Sequence, residues 1–339
     1  MRTLFLQILI LLFGTLLSFG QVVYESPTGE IIPERDALSN YEFGIVTVSV
    51  ANGRMEAGHR SEMGTQLLLG MPVRVIEQRG SWWQVKTPEN YVIWLERRHF
   101  QRMNREDFNR WTSARKVIFT DDFGFVYEQP NERGQRVSNL VLGNLMKYEG
   151  ENRRFFRVSF PDGRKGYVPK RQAMLFDEWK KSINLTENSI IQTALSMKGI
   201  PYLWGGTSIK GMDCSGFTKT VFLMHGIITL RDARQQAQTG IPVDISTGYE
   251  NLRRGDLMFF GREATEETPG RIRHVAIYMG NKEFIHAAGL VRVNSLDPNE
   301  PHFDELNTRE FIRATRIIGA VGTEGLWCIS VNPLYRVQE

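Results

Sequence analysis

The chain has 339 residues, 41% of them hydrophobic and 24% charged, enough apolar material for two or three globular domains. Its 42 Lys and Arg against 38 Asp and Glu leave a net charge of +4 that is spread along the sequence. No basic block interleaved with aromatics marks a nucleic-acid partner. With only two cysteines, Cys214 and Cys328, a disulfide framework is excluded.

The first 20 residues read as an export signal. Met1-Arg2 gives a positive start, Leu4 to Leu17 is mostly apolar, and Ser18-Phe19-Gly20 places small residues before a cut at Gln21. The competing reading is an uncleaved membrane anchor, but a span needs about 20 apolar residues and this run is shorter and broken by Gln7. No cysteine follows it, which argues against a lipid anchor. The mature chain is expected to be exported, periplasmic or secreted, and free of the membrane after cleavage.

An internal repeat sets the organisation. Thr65-Gln66-Leu67-Leu68-Leu69-Gly70 recurs 73 positions on as Ser138-Asn139-Leu140-Val141-Leu142-Gly143. At the same offset Trp83-Gln84-Val85 answers Phe156-Arg157-Val158, and Ile93-Trp94-Leu95 answers Gly166-Tyr167-Val168. Runs such as Val46-Thr47-Val48-Ser49-Val50 and Val73-Arg74-Val75-Ile76 read as short strands, separated by turns at Gly80, Pro88-Glu89-Asn90 and Pro161-Asp162-Gly163. Two small all-β barrels are predicted, about Gly44–Phe100 and Lys116–Leu175, and they resemble bacterial SH3-like domains. Gln101 to Arg115 and Arg171 to Leu185 read as charged, aromatic-studded connectors.

From Thr186 the character changes. Ile190, Ile191, Ala194 and Leu195 form a helical stripe that stops at Gly199 and Pro201. A glycine-bounded turn then leads into Asp213-Cys214-Ser215-Gly216, followed by Phe217, Val221, Phe222 and Met224 at helical spacing. Cys214 therefore falls in a helix's first turn, where unpaired amides and the macrodipole favour a thiolate. A bridge to Cys328 would consume that thiol; Cys214 is expected free and Cys328, beside Trp327, packed. Leu257-Met258-Phe259-Phe260 reads as a strand, and Arg262 to Arg271 as an exposed acidic loop.

Two histidines follow in strand-like runs, Arg273-His274-Val275-Ala276-Ile277-Tyr278 and Glu283-Phe284-Ile285-His286-Ala287. A strict two-residue turn at Asn281-Lys282 would put them on opposite faces. A three-residue loop or a bulge sets Ala276 opposite His286 and brings His274 diagonally beside it on one face. The remaining histidines, His59, His99, His225 and His302, read as structural or exposed. A thiol catalyst needs a base and a group that orients the base, roles that fit Cys214, His274 and His286 in that order. The same three side chains are also a chemical set for zinc, although no close ligand pair such as Cys-x-x-Cys or His-Glu-x-x-His is present. No metal or other cofactor is expected.

These residues resemble the NlpC-type family of cell-wall cysteine peptidases. The likeness spans about Thr186 to Ala320 and rests on Asp213-Cys214-Ser215-Gly216, on His274-Val275-Ala276-Ile277-Tyr278-Met279-Gly280 and on Phe284-Ile285-His286-Ala287. The resemblance implies an α+β, papain-like catalytic domain after the two SH3-like barrels, and cleavage between γ-D-glutamate and the following diamino acid. It also implies that Tyr202 joins the Cys214 N–H as an oxyanion donor.

The whole arrangement is similar to the dipeptidyl-peptidase VI subfamily, which takes peptides with a free N-terminal L-alanine. That likeness implies substrate-binding roles for Glu56 and Tyr91 in the first barrel, for Asp213 and Ser215 beside the cysteine, and for Trp204 in the pocket wall. The chain departs from the pattern in having Ala57 after Glu56 where relatives often carry proline. The expected product is L-Ala-γ-D-Glu, released by a monomer from peptidoglycan-derived peptides. The alternatives are an endopeptidase on intact peptidoglycan, a non-catalytic wall-binding protein, and an acyltransferase on the same fold.

Overall fold

The computed structural model describes residues 23–25 and 31–33 by backbone alone, and residues 42–265 and 268–338 in full. The export segment read at residues 1–20 lies outside the described residues. Strands β1 (Val23–Glu25) and β2 (Ile31–Pro33) pair as an antiparallel hairpin.

The first barrel is a seven-stranded antiparallel sheet. Its strands are β3 (Phe43–Val46), β4 (Val50–Arg54), β5 (Met63–Leu68), β6 (Pro72–Arg79), β7 (Trp82–Lys86), β8 (Val92–Glu96) and β9 (Phe100–Met103). Helix α1 (Arg105–Ser113) follows, capped by Asn104, whose side chain accepts from the Asp107 N–H. The second barrel holds β10 (Lys116–Phe119), β11 (Phe123–Tyr127), β12 (Arg136–Val141), β13 (Leu145–Glu151), β14 (Phe155–Ser159), β15 (Lys165–Pro169) and β16 (Ala173–Leu175). Each of these strands begins 73 residues after its counterpart, as Lys116 does after Phe43. The strand orders, β5-β4-β8-β7-β6-β3-β9 and β12-β11-β15-β14-β13-β10-β16, are the same permutation.

Two details differ from the sequence reading. Val46 to Val50 is not one strand: the ladder breaks at Thr47, whose N–H turns away to the His99 carbonyl, and resumes at Val50. Gln101 to Met103, read as connector, completes the first sheet by pairing with β3. Phe100 and Met103 are buried there, Gln101 is exposed and Arg102 half-buried, so the strand shows no period-2 alternation that its sequence could have revealed.

Helix α2 (Phe176–Ser182) leads into the third unit, with α3 (Glu187–Ser196), a ribbon of β17 (Thr207–Ser208) and β18 (Gly211–Met212), α4 (Cys214–Leu223), β19 (Ile227–Thr229) and α5 (Ala233–Gln236). A six-stranded antiparallel sheet follows, in the order β20 (Ile241–Val243), β25 (Phe311–Arg316), β21 (Leu257–Arg262), β22 (Arg271–Gly280), β23 (Glu283–Ala288) and β24 (Leu290–Ser295). A short helix α6 (Glu305–Arg309) precedes β25, and β26 (Leu326–Cys328) returns to pair with β19.

Helices α3 and α4 lie on one face of the sheet. Ile190, Ile191 and Ala194 from α3 and Phe217, Val221 and Phe222 from α4 bury against Phe259, Val275, Ile277 and Ile285. Apart from Ala194, each of these side chains contributes about 1.5–3 kcal/mol when fully buried. Among the described residues no helix is long and apolar enough to cross a membrane.

The units are joined by short approaches. Leu145 N–H donates to the Leu69 carbonyl at 2.8 Å, and Leu69 packs into the second barrel's core. Gln66 Oε1 accepts from Thr207 N–H and Ser208 Oγ, while Thr207 Oγ1 donates to the Gln66 carbonyl, which pins the first barrel to the loop before Cys214. Gly205 sits at φ +76°, and a Cβ there would lie 2.0 Å from the Met63 carbonyl. Only glycine lets this loop press so closely on the barrel.

Candidate active site

Cys214 is the first residue of α4, and Asp213 is its N-cap. The Asp213 Oδ1 accepts from Gly216 N–H at 2.7 Å, so the carboxylate takes up one of the amides that would otherwise face the sulfur. A Cβ on Gly216 would fall 1.9 Å from the Gly206 carbonyl; glycine here lets the helix start against the preceding turn. Both cysteines are free thiols.

The sulfur's surroundings revise the expectation of a standing thiolate. Burial, then the nearby Asp213 charge, pushes the Cys214 thiol up to about 12, against the backbone amides of Val275 and Ser215 and the Arg231 charge, which favour the anion. The resting group is a neutral thiol. Deprotonation therefore has to accompany proton transfer to a base.

The imidazole expected to serve as that base, His274, precedes Val275 in β22. Ile277 pairs with Ile285 and Tyr278 with Phe284, and the register then shifts before Gly280 pairs with Glu283. The turn has two residues, Asn281 and Lys282, both at positive φ (52° and 61°), and a bulge at Met279 restores the register that sets Ala276 across from His286. His274 Nε2 and His286 Nδ1 are 2.7 Å apart, with the rings edge to face. Burial, joined by the neighbouring His286, holds His274 well below the ordinary imidazole range. Burial alone leads for His286 and lowers it to about 4. Both rings are neutral at pH 7. Among the described residues no cluster of three or more His, Cys, Asp or Glu side chains could hold a metal ion.

Cys214 opens onto a cleft of about 290 Å³ between the catalytic unit and the first barrel. Tyr91, Tyr202, Trp204, Asp213 and Ser215 all line it. Burial and the charges of Cys214 and Asp213 raise the Tyr202 hydroxyl well above its usual value, so it stays a hydrogen-bond donor. Tyr91 is likewise raised by burial and by Asp232, to which its hydroxyl donates at 3.3 Å. Glu56 is not among the lining residues; it is exposed, and its N–H is bonded to Ser61 Oγ. Glu62, on the same loop, lines the cleft instead and accepts from Trp204 Nε1 at 2.5 Å.

Several further residues were not read from the sequence. Arg231, fully buried, donates to both oxygens of Asp213 (3.1 and 2.6 Å) and to Ser215 Oγ (2.9 Å), while Gly205 N–H also reaches Asp213 at 2.9 Å. Asp213 is thus saturated and acts as the organiser of the turn. Asp232 caps α5 in a capping box with Gln235, and burial raises its carboxyl. The visible signal was Asp232 three residues before Gln235, a capping box opening a polar segment. Asn294 of β24 meets His286 Nε2 at 3.0 Å, a contact that depends on the pairing of β23 with β24 and has no local signature.

The NlpC/P60 family profile matches residues 199–310, and that of the bacterial dipeptidyl-peptidase Sh3 domain matches residues 54–100. The chain is 30% identical over 254 residues to the γ-D-glutamyl-L-lysine dipeptidyl-peptidase of Bacillus cereus, covering 72% of this chain and 73% of that protein. It is 30% identical over 271 residues to dipeptidyl-peptidase 6 of Lysinibacillus sphaericus, covering 76% and 93%. A crystal structure of an NlpC/P60 family protein from Bacillus cereus superposes with a TM-score of 0.67 at 26% identity, over 81% of this chain and 99% of that one. Likeness at this coverage extends through the barrels and the catalytic unit alike, and the chain belongs to the NlpC/P60 family of peptidoglycan cysteine peptidases.

Proposed function

We propose that the chain hydrolyses the bond between γ-D-glutamate and the following L-diamino acid in peptidoglycan-derived peptides that carry a free N-terminal L-alanine, releasing L-Ala-γ-D-Glu. The observation that carries this reading is the closure of the cleft by the first barrel. Tyr91 meets Asp232 there, and Glu62 meets Trp204. Carboxylates and a hydroxyl gathered where the peptide must end suit an ammonium, whereas a continuing glycan-linked chain would meet the barrel. The name of the Bacillus cereus relative, a γ-D-glutamyl-L-lysine dipeptidyl-peptidase, supports the same class of bond. In this scheme Tyr91, Asp232 and Glu62 take the ammonium. Asp213 and Ser215, braced by Arg231, form the floor, and Trp204 covers the peptide's apolar side.

In the reaction, His274 removes the Cys214 proton as the sulfur attacks the γ-carbonyl carbon. Negative charge on that carbonyl oxygen is met by the Cys214 N–H and the Tyr202 hydroxyl. The carbon–nitrogen bond breaks as His274 passes its proton to the departing amine. Water, deprotonated by His274, then attacks the thioester, and the thiol leaves with the proton. His286 holds the His274 ring throughout. The leader-like start of the sequence supports placing this activity outside the cytoplasm, in the periplasm.

The test is product identity. Incubated with L-Ala-γ-D-Glu-diaminopimelate, the full chain should yield L-Ala-γ-D-Glu and diaminopimelate by mass spectrometry, and Cys214→Ala should yield neither. Hydrolysis by the alanine variant, or a cut at another bond, would overturn the scheme.

A further inference from the structure

We infer that Asn294 is a positioning residue that sets the proton positions of both catalytic imidazoles, so that His274 presents Nδ1 as its basic nitrogen. The inference rests on Cys214, His274 and His286 being the catalytic set, though not on which peptide is cleaved.

The His302 carbonyl can only accept, so the Asn294 group bonded to it at 2.9 Å must be the Nδ2 amide. That leaves Asn294 Oδ1 toward His286 Nε2 at 3.0 Å. An amide oxygen has no proton to give; His286 Nε2 therefore carries the hydrogen, and in the neutral ring Nδ1 holds the lone pair. The 2.7 Å contact between His286 Nδ1 and His274 Nε2 then requires the hydrogen to sit on His274 Nε2. His274 Nδ1 is left as the lone-pair nitrogen that accepts the thiol proton.

Without an acceptor at position 294, His286 is free to protonate at Nδ1. That would set two N–H groups against each other and bias His274 toward the wrong tautomer. The surroundings leave Asn294 alone in this role. His286 is fully buried, with Phe284 edge-on to its ring and His274 on its other nitrogen. The charged groups acting on the pair are Arg273, Arg292 and Asp304, and none of them bonds to either ring. The His302 ring is turned away, bonded to Glu283 at 3.0 Å, so its carbonyl is what anchors the amide.

The test uses the full chain carrying Cys328→Ser, so that Cys214 is the sole thiol, with Asn294→Leu and Asn294→Asp compared. Both lose the donor to the His302 carbonyl; only aspartate keeps an acceptor for His286. Asn294→Leu should lower kcat about tenfold or more at unchanged KM, the effect of losing roughly one hydrogen bond's bias. Asn294→Asp should stay close to the parent, and its acid limb should move to higher pH because a carboxylate favours the imidazolium. Iodoacetamide alkylation of Cys214 should follow the same order. That readout needs no substrate, so it separates a failure of this inference from a failure of the proposed substrate. Equal losses in the two variants, or an unaffected leucine variant, would reduce Asn294 to a packing residue.

Discussion

At the start of α4 the Cys214 sulfur feels opposing influences. Amides of Ser215 and Val275 and the Arg231 charge favour the thiolate, as the position in the helix foretells, while burial and the Asp213 carboxylate oppose it and prevail. The position of the thiol was legible because helix starts follow glycine-bounded turns. Its protonation state was not, because burial depends on the whole cleft. The same burial depresses both imidazoles, with a consequence for pH. His274 and His286 stay neutral in the folded chain below the ordinary value of 6.5, where the unfolded chain protonates them. Their contribution to stability is thus complete above about pH 6.5 and is lost as pH falls toward 4. For His286 alone this amounts to about 3 kcal/mol, at about 1.4 kcal/mol per pH unit. Activity should follow the folded state: kcat plotted against pH should hold its plateau below pH 6 and fall near 4. A midpoint at 6.5 would show that the imidazoles are solvated.

At the scale of elements, the hairpin of β22 and β23 was readable down to its need for an extra residue, because only a bulge or longer loop puts His274 and His286 on one face. The partner on β24 was not readable, since nothing local says which strand lies beside His286. The turn from Thr87 to Tyr91 shows the same division. Its residues read as a turn, and Asn90 does adopt φ 65°. Its docking required the fold: Glu89 pairs with Lys219 of α4 at 3.3 Å, both side chains being at most 5% exposed, and Asn332 Nδ2 donates to the Pro88 carbonyl at 2.9 Å. This pair fixes the turn that carries Tyr91 into the cleft. Removing one partner strands a buried charge, so Lys219→Met should cost about 3–5 kcal/mol in guanidinium unfolding, and Glu89→Leu combined with Lys219→Met should recover most of it. A single variant as stable as the parent would mean that water reaches the pair.

At the scale of the whole molecule, the repeat was plain in the sequence because both copies keep one offset through all seven strands. What the copies do was not, because equivalent turns serve different neighbours. The second barrel's counterpart of Tyr91 is Arg164, which reaches the Thr47 carbonyl of the first barrel at 2.6 Å, whereas Tyr91 reaches Asp232 of the catalytic unit. The equivalent turn docks in opposite directions, forward onto the catalytic unit from the first barrel and back onto the first barrel from the second, and only the first lines the cleft. In the proposed function the first barrel is an end wall that selects a free amine. The decisive measurement is kcat/KM for L-Ala-γ-D-Glu-diaminopimelate against its N-acetylated analogue. Losing two charge-assisted bonds, each worth about 1.5–3 kcal/mol, predicts a preference of roughly a hundredfold or more for the free amine. Equal values for the two peptides would contradict it.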